Sequence, residues 1–220
     1  MHSLVDMRTR KQGILTETVL FDKRRETLSI DHDAVLLLID VQEGFKDAKW
    51  GRRNNPCAEA KIAQLLNAWR VSGRPIIHVQ HVSQEQASLF APESPGIALQ
   101  EFARPANGEL LVQKRVNSAF IGTTLDRSLK ERGATALVVV GFTTDHCVSS
   151  TVRMASNLGY RTIVVADGTA TFERPSIDNK PVLPEIIHQV HLLSLQGEFA
   201  EVLNADMVLS LSENYEPASP

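Results

Sequence analysis

Three apolar runs constrain this chain more than anything else in it. Val35-Leu36-Leu37-Leu38-Ile39 stops at Asp40, Leu137-Val138-Val139-Val140 stops at Gly141, and Thr162-Ile163-Val164-Val165-Ala166 stops at Asp167. A strand with one wet face alternates apolar and polar residues. These runs do not alternate, so they fit strands buried on both faces, as in a parallel sheet. Pro75 to His81 and Leu110-Leu111-Val112, reaching Lys114, read as two more strands, and Val202-Leu203 as an edge strand.

Helical spacing fills the gaps. Asn55-Pro56 reads as a cap and first turn, with Ile62, Leu65, Leu66 and Trp69 on one face and Gly73 as the stop. Thr123 or Thr124 caps a helix through Leu125 and Leu129. Cys147 to Leu158 and Leu183 to Leu195 complete the set. Parallel strands need crossovers, and right-handed crossovers on both faces make a three-layer α/β/α, doubly wound, Rossmann-like and mainly parallel sheet. The expected organisation is an N-terminal extension over 1–33, containing Lys23-Arg24-Arg25-Glu26, one domain over 34–211, and a C-terminal tail over 212–220.

Composition narrows the function classes. With 43% hydrophobic and 22% charged residues among 220, the chain has material for a core. A net charge of −3 gives no electrostatic case for nucleic acid or for an anionic membrane surface. No apolar run approaches the about 20 residues of a membrane span. Met1 to Lys11 lacks the apolar stretch of a signal peptide, and two cysteines, Cys57 and Cys147, make no disulfide framework, so the expected location is the cytoplasm with both thiols free.

In doubly wound sheets, ligands bind beyond the carboxyl ends of the strands. Asp40, Lys114 with Arg115, the segment Gly141 to Cys147, and Asp167 occupy those ends, and neither G-x-G-x-x-G nor a P-loop is present. Cys147 stands where a strand turns into a helix, whose positive end favours a thiolate. Lys114 is placed to stabilise that thiolate, and Asp40 to take the thiol proton. The bland alternative is a small buried cysteine and a solvated lysine. Three reactive side chains at three strand ends on one rim weigh against it.

These segments resemble the isochorismatase-like cysteine hydrolases, the superfamily of nicotinamidases, carbamoylsarcosine amidohydrolases, ureidoacrylate and biuret hydrolases and isochorismatases. Leu38-Ile39-Asp40-Val41-Gln42-Glu43-Gly44-Phe45 is similar to the acid motif, Lys114-Arg115-Val116-Asn117-Ser118-Ala119-Phe120 to the lysine motif, and Val140-Gly141-Phe142-Thr143-Thr144-Asp145-His146-Cys147-Val148 to the nucleophile motif. The likeness implies a triad of Asp40, Lys114 and Cys147, an oxyanion hole from the Thr143 and Cys147 N–H groups, and a cis peptide at Phe142-Thr143. It also implies hydrolysis of a C–N bond in a small amide, carbamoyl, ureido or lactam compound through a thioester, with no cofactor, in a homo-oligomer.

Alternatives remain within the same fold. Vinyl ether hydrolysis of the isochorismatase type needs an acid instead of a thiolate, and a binding protein that merely keeps the fold needs no triad at all. The nicotinamidase-type Asp-x-His pair is missing after Asp40, so no metal is expected. His78 reads as a satisfied core histidine, and His188 with His191 as packing or subunit contacts. Phe45, His81 and Arg115 are the candidate substrate contacts, Arg115 through a bidentate grip on a carboxylate.

Overall fold

The computed structural model describes residues 29–213. The expected extension and tail lie mostly outside the described residues. In chain order the elements are β1 (Val35–Ile39), α1 (Ala58–Val71), β2 (Ile76–His81), β3 (Leu110–Lys114), α2 (Leu125–Glu131), β4 (Ala136–Phe142), α3 (Ser149–Asn157), β5 (Arg161–Ala170), β6 (Arg174–Pro175), β7 (Pro181–Val182), α4 (Pro184–Leu195), β8 (Glu201–Leu203) and α5 (Ala205–Glu213).

Six strands form one sheet in the order β3-β2-β1-β4-β5-β8, every neighbouring pair parallel. The chain starts in the middle at β1, winds outward to β3, then returns beside β1 as β4 and winds the other way. That reversal makes the β1/β4 boundary the switch point, where crossovers diverge and leave a crevice. β1 and β4 are buried at every residue, which is why their sequences carry no alternation. Leu36, Leu38, Val138 and Val140 face a core layer shared with α1 and α5, whereas Val35, Leu37, Ile39, Leu137 and Val139 face a layer shared with α2 and α3. Each such buried aliphatic side chain contributes about 1.5–3 kcal/mol of transfer free energy.

The structure corrects several local expectations. Helix α1 begins at Ala58, and Asn55 does not cap it: Asn55 has φ 44° and its Nδ2 donates to the carbonyls of Ala166 and Thr169, both at 2.8 Å. The side chain ties down the end of β5 instead. Helix α5 adds to the expected set. Asn204 Oδ1 accepts from Met207 N–H at 2.8 Å as its cap, Ala205 and Val208 are buried, and Asp167 Oδ1 accepts the Ala205 N–H at 2.7 Å. The β6–β7 hairpin is a second addition. Ile30, ahead of the expected domain start, is fully buried.

Candidate active site

The carboxyl ends of β1, β3 and β4 deliver three side chains to one point. Asp40 follows β1 with φ 50°, a left-handed conformation uncommon outside glycine, asparagine and aspartate. Lys114 ends β3. Its side chain and that of Asp40 are both 0% exposed, with Nζ 2.7 Å from Asp40 Oδ2. The same Nζ lies 3.2 Å from Cys147 Sγ and 3.3 Å from Nδ1 of His81, the residue beside Lys114 in the β2–β3 register. A buried ammonium has three hydrogens to satisfy and no capacity to accept, and here three acceptors meet it.

Cys147 sits in a π-helical turn, Thr144–Val148, ahead of α3, not at the first residue of an α-helix as expected. His146 and Val148 N–H groups both donate to Thr143 O at 3.1 Å. The Phe142–Thr143 peptide is cis, as the resemblance implies. Just before it, Gly141 has φ 114°, and a Cβ there would fall 2.0 Å from Ile39 O. β4 runs so close to β1 at this level that no side chain fits.

The electrostatics of the three groups are coupled. Burial and the negative charge of Asp40 push the Cys147 thiol pKa up, and Lys114 opposes them without prevailing. For Lys114, burial works against the ammonium, but Asp40 and Cys147 outweigh it and the pKa is raised. Burial, then the Lys114 charge, lower the His81 pKa. Because Lys114 only donates, the His81 Nδ1 facing it carries the lone pair, and the ring proton sits on Nε2.

Asp40, His81, Thr143 and Cys147 form the base of a cavity of about 260 Å³. Phe45, Trp50 and Phe90 line one side, with Phe45 and Phe90 ring centres 4.7 Å apart and Phe45 and Trp50 centres 5.4 Å apart. Asn117, His146 and Arg174 contribute polar edges, as do Ser83, Glu85 and Ser88 from the long irregular stretch. So the structure brings together Asp40, Lys114, Cys147, Thr143, Phe45 and His81. It does not bring in Arg115, which is exposed and lines no part of the cavity. The guanidinium at the cavity belongs to Arg174, whose Nε donates to Asp145 Oδ2 at 2.6 Å. Burial favours a neutral Asp145, yet hydrogen bonds from Arg174 and Thr171 hold its pKa at about 2. Asp145 is thus committed to Arg174 and is no base for Cys147. Nothing in the Glu173-Arg174-Pro175 sequence marks the arginine for this place, because only the β6–β7 hairpin brings it there.

Two histidines, His78 and His188, are engaged away from the cavity. His78 Nε2 lies 2.8 Å from Glu109 Oε2 in the core, and His188 Nδ1 lies 2.8 Å from Thr144 Oγ1 behind the nucleophile turn. Among the described residues no three His, Cys, Asp or Glu side chains converge as a metal ion would require, and no helix is long and apolar enough to cross a membrane.

The model of the Isochorismatase domain matches residues 34–207. The chain belongs to the isochorismatase family. This isochorismatase-family hydrolase is 40% identical to the uncharacterized isochorismatase family protein YrdC of Bacillus subtilis, over 82% of this chain and 97% of that one. It is 30% identical to the ureidoacrylate amidohydrolase RutB of Stutzerimonas stutzeri, over 86% and 87% of the two chains. A crystal structure of an isochorismatase-family protein from Chromobacterium violaceum superposes with a TM-score of 0.83 at 39% identity, over 86% of this chain and 98% of that one. The Asp40 motif, the Lys114 motif and the Cys147 turn of the family member described here all fall inside the matched residues.

Proposed function

We propose that the chain is a cysteine-dependent hydrolase of a C–N bond in a small amide, carbamoyl, ureido or lactam compound. The observation that carries this reading is the Lys114 ammonium 2.7 Å from Asp40 and 3.2 Å from Cys147 at the base of a cavity. At about 260 Å³ that cavity falls below the about 300–1,000 Å³ usual for ligand pockets, which favours a small substrate.

The resting thiol gives its proton to Asp40 as sulfur attacks the carbonyl carbon, so nucleophile and base are activated in one event. The Lys114 ammonium compensates the charge that moves onto sulfur. The Thr143 and Cys147 N–H groups receive the oxyanion, a service worth about 3–4 kcal/mol per donor. Collapse of the tetrahedral species breaks the C–N bond, and Asp40 returns the proton to the departing nitrogen. Water then loses a proton to Asp40 and adds to the thioester. The second collapse expels the Cys147 sulfur, which recovers the proton and leaves the acid product. His81 presents its Nε2–H to the substrate, while Phe45 packs against it. No step calls on a cofactor.

The same reading places the protein in the cytoplasm, where free Cys57 and Cys147 thiols persist, and makes it a homo-oligomer. The similarity to an amidohydrolase supports C–N chemistry, and the thiol beside Asp40 is superfluous to protonation of an enol ether. The test is release of ammonia or amine across a panel of amides, carbamoyl compounds, biuret-like molecules and lactams. Turnover should disappear in Cys147→Ala and Cys147→Ser, and an active Cys147→Ala protein would disprove the mechanism.

A further inference from the structure

Thr144 stands between the two residues whose N–H groups receive the oxyanion in the proposed hydrolysis, Thr143 and Cys147, and it opens the π-helical turn Thr144–Val148. Such turns are rare and usually single. In this one the His146 and Val148 N–H groups share one acceptor, Thr143 O, so side-chain contacts carry part of its shape. Thr144 is fully buried, and its Oγ1 lies 2.8 Å from Nδ1 of His188 on α4, which is itself buried.

The far side of the ring fixes the direction of that bond. His188 Nε2 lies 3.3 Å from Asn55 Nδ2. Both hydrogens of that amide already go to the Ala166 and Thr169 carbonyls, and an amide nitrogen accepts nothing. The partner left for Nε2 is the Ala166 carbonyl, to which the ring donates. The ring proton therefore sits on Nε2, and Nδ1 keeps the lone pair that accepts from the Thr144 hydroxyl. Burial lowers the His188 pKa, so the ring stays neutral near pH 7 and keeps both roles. A line of hydrogen bonds thus runs from the nucleophile turn through α4 to the end of β5. A buried histidine facing a hydroxyl can be a packing detail and no more. Position sets this pair apart, because turning the Thr144 backbone moves an oxyanion donor on either side of it. We infer that His188 is a positioning residue for the reaction: through Thr144 it holds the two oxyanion donors in place from behind the turn. It lines no part of the cavity and touches no substrate. The inference rests on cysteine-dependent hydrolysis as the reaction.

Steady-state kinetics on the full chain, with hydrogen–deuterium exchange of the peptide spanning 143–149, test it. His188→Leu and Thr144→Val each remove the bond. Each should lower kcat by about 10–100-fold, the scale of a misplacement of about an ångström, with KM within about twofold and faster exchange in the turn. The double variant should fall within about threefold of the slower single one, because all three lack the same bond. His188→Asn, whose Oδ1 takes the place of Nδ1, should restore most of the lost kcat. Leu195→Ala, which opens a cavity under the buried face of the same helix, should lower the melting temperature but leave kcat and KM unchanged. A His188→Leu chain that folds and keeps the wild-type kcat would overturn the inference. So would losses that multiply in the double variant, or a His188→Asn chain as slow as His188→Leu. If His188→Leu does not fold, Thr144→Val decides, since it deletes the hydroxyl and keeps the side-chain shape. Exchange separates the tether from the chemistry. A turn loosened in both single variants, in a chain whose Cys147→Ala form stays active, would uphold the tether and refute the hydrolysis. A turn that exchanges as in wild type would refute the tether.

Discussion

Replacing Asp40 by Asn should make Cys147 more reactive toward alkylation while stopping turnover. Asp40 Oδ2 and Cys147 Sγ lie 2.7 and 3.2 Å from the same Lys114 Nζ, so they are at most about 6 Å apart. At about 5 Å and an effective dielectric constant of about 20, two unit charges interact by about 3 kcal/mol. Removing the carboxylate charge leaves Lys114 beside the thiol with its attraction unopposed, and the thiolate population at neutral pH rises by about 100-fold. Nucleophilicity falls as a thiol becomes more acidic, with a Brønsted slope of about 0.4–0.5, so the net gain in alkylation rate is about tenfold. Turnover moves the other way. Loss of a positioned base and acid costs about 10²–10⁴-fold, and the proposed mechanism gives Asp40 both roles. The assay is the pseudo-first-order rate of iodoacetamide labelling at Cys147, followed by intact mass in a Cys57→Ser background, with ammonia release measured in parallel. An Asp40→Asn protein labelled no faster than wild type would refute the electrostatic argument. One that retained turnover within tenfold of wild type would refute the assignment of the base.

Lys114→Met should abolish turnover and also cost about 3–5 kcal/mol in urea unfolding, because it strands a fully buried carboxylate. A stability loss below about 1 kcal/mol, with Asp40 shown to remain ionised, would contradict the account of this buried pair. Away from the site, burial would raise the Glu109 pKa, but hydrogen bonds from Arg70, the Ala106 N–H and His78 hold it at about 2, below the ordinary 4.5. A lowered carboxylate pKa contributes stability that is full above about 4.5 and is lost as pH falls through about 2. Glu109→Gln should therefore destabilise the protein by roughly 1–2 kcal/mol at neutral pH, with the gap to wild type narrowing in thermal melts below about pH 4.5.

What can be read from the sequence is whatever local pattern determines. The unbroken apolar runs of β1 and β4 reflect burial on both faces, so the parallel sheet and the rim bearing Asp40, Lys114 and Cys147 are visible without coordinates. Side chains recruited from a distance are not. Asn55 looks like a cap, yet two carbonyls at the end of β5 compete for it and win. Arg115, next to Lys114 in sequence, lies beyond the end of β3, is exposed and lines no part of the cavity, which Arg174 reaches from the β6–β7 hairpin instead. The environment of the Cys147 thiol escapes the sequence for a related reason. A helix end and a lysine are evident there, whereas burial and the closeness of Asp40 are properties of the assembled site.

Gly141 links the sheet to the spacing of the reacting groups. The close approach of its backbone to Ile39 O sets how far apart the loops leaving β1 and β4 can stand, and those loops hold the acid and the sulfur. Even a methyl group at this position would act as a wedge between the two strands. The missing side chain thus serves as a gauge block for the distance over which the proposed proton transfer would run.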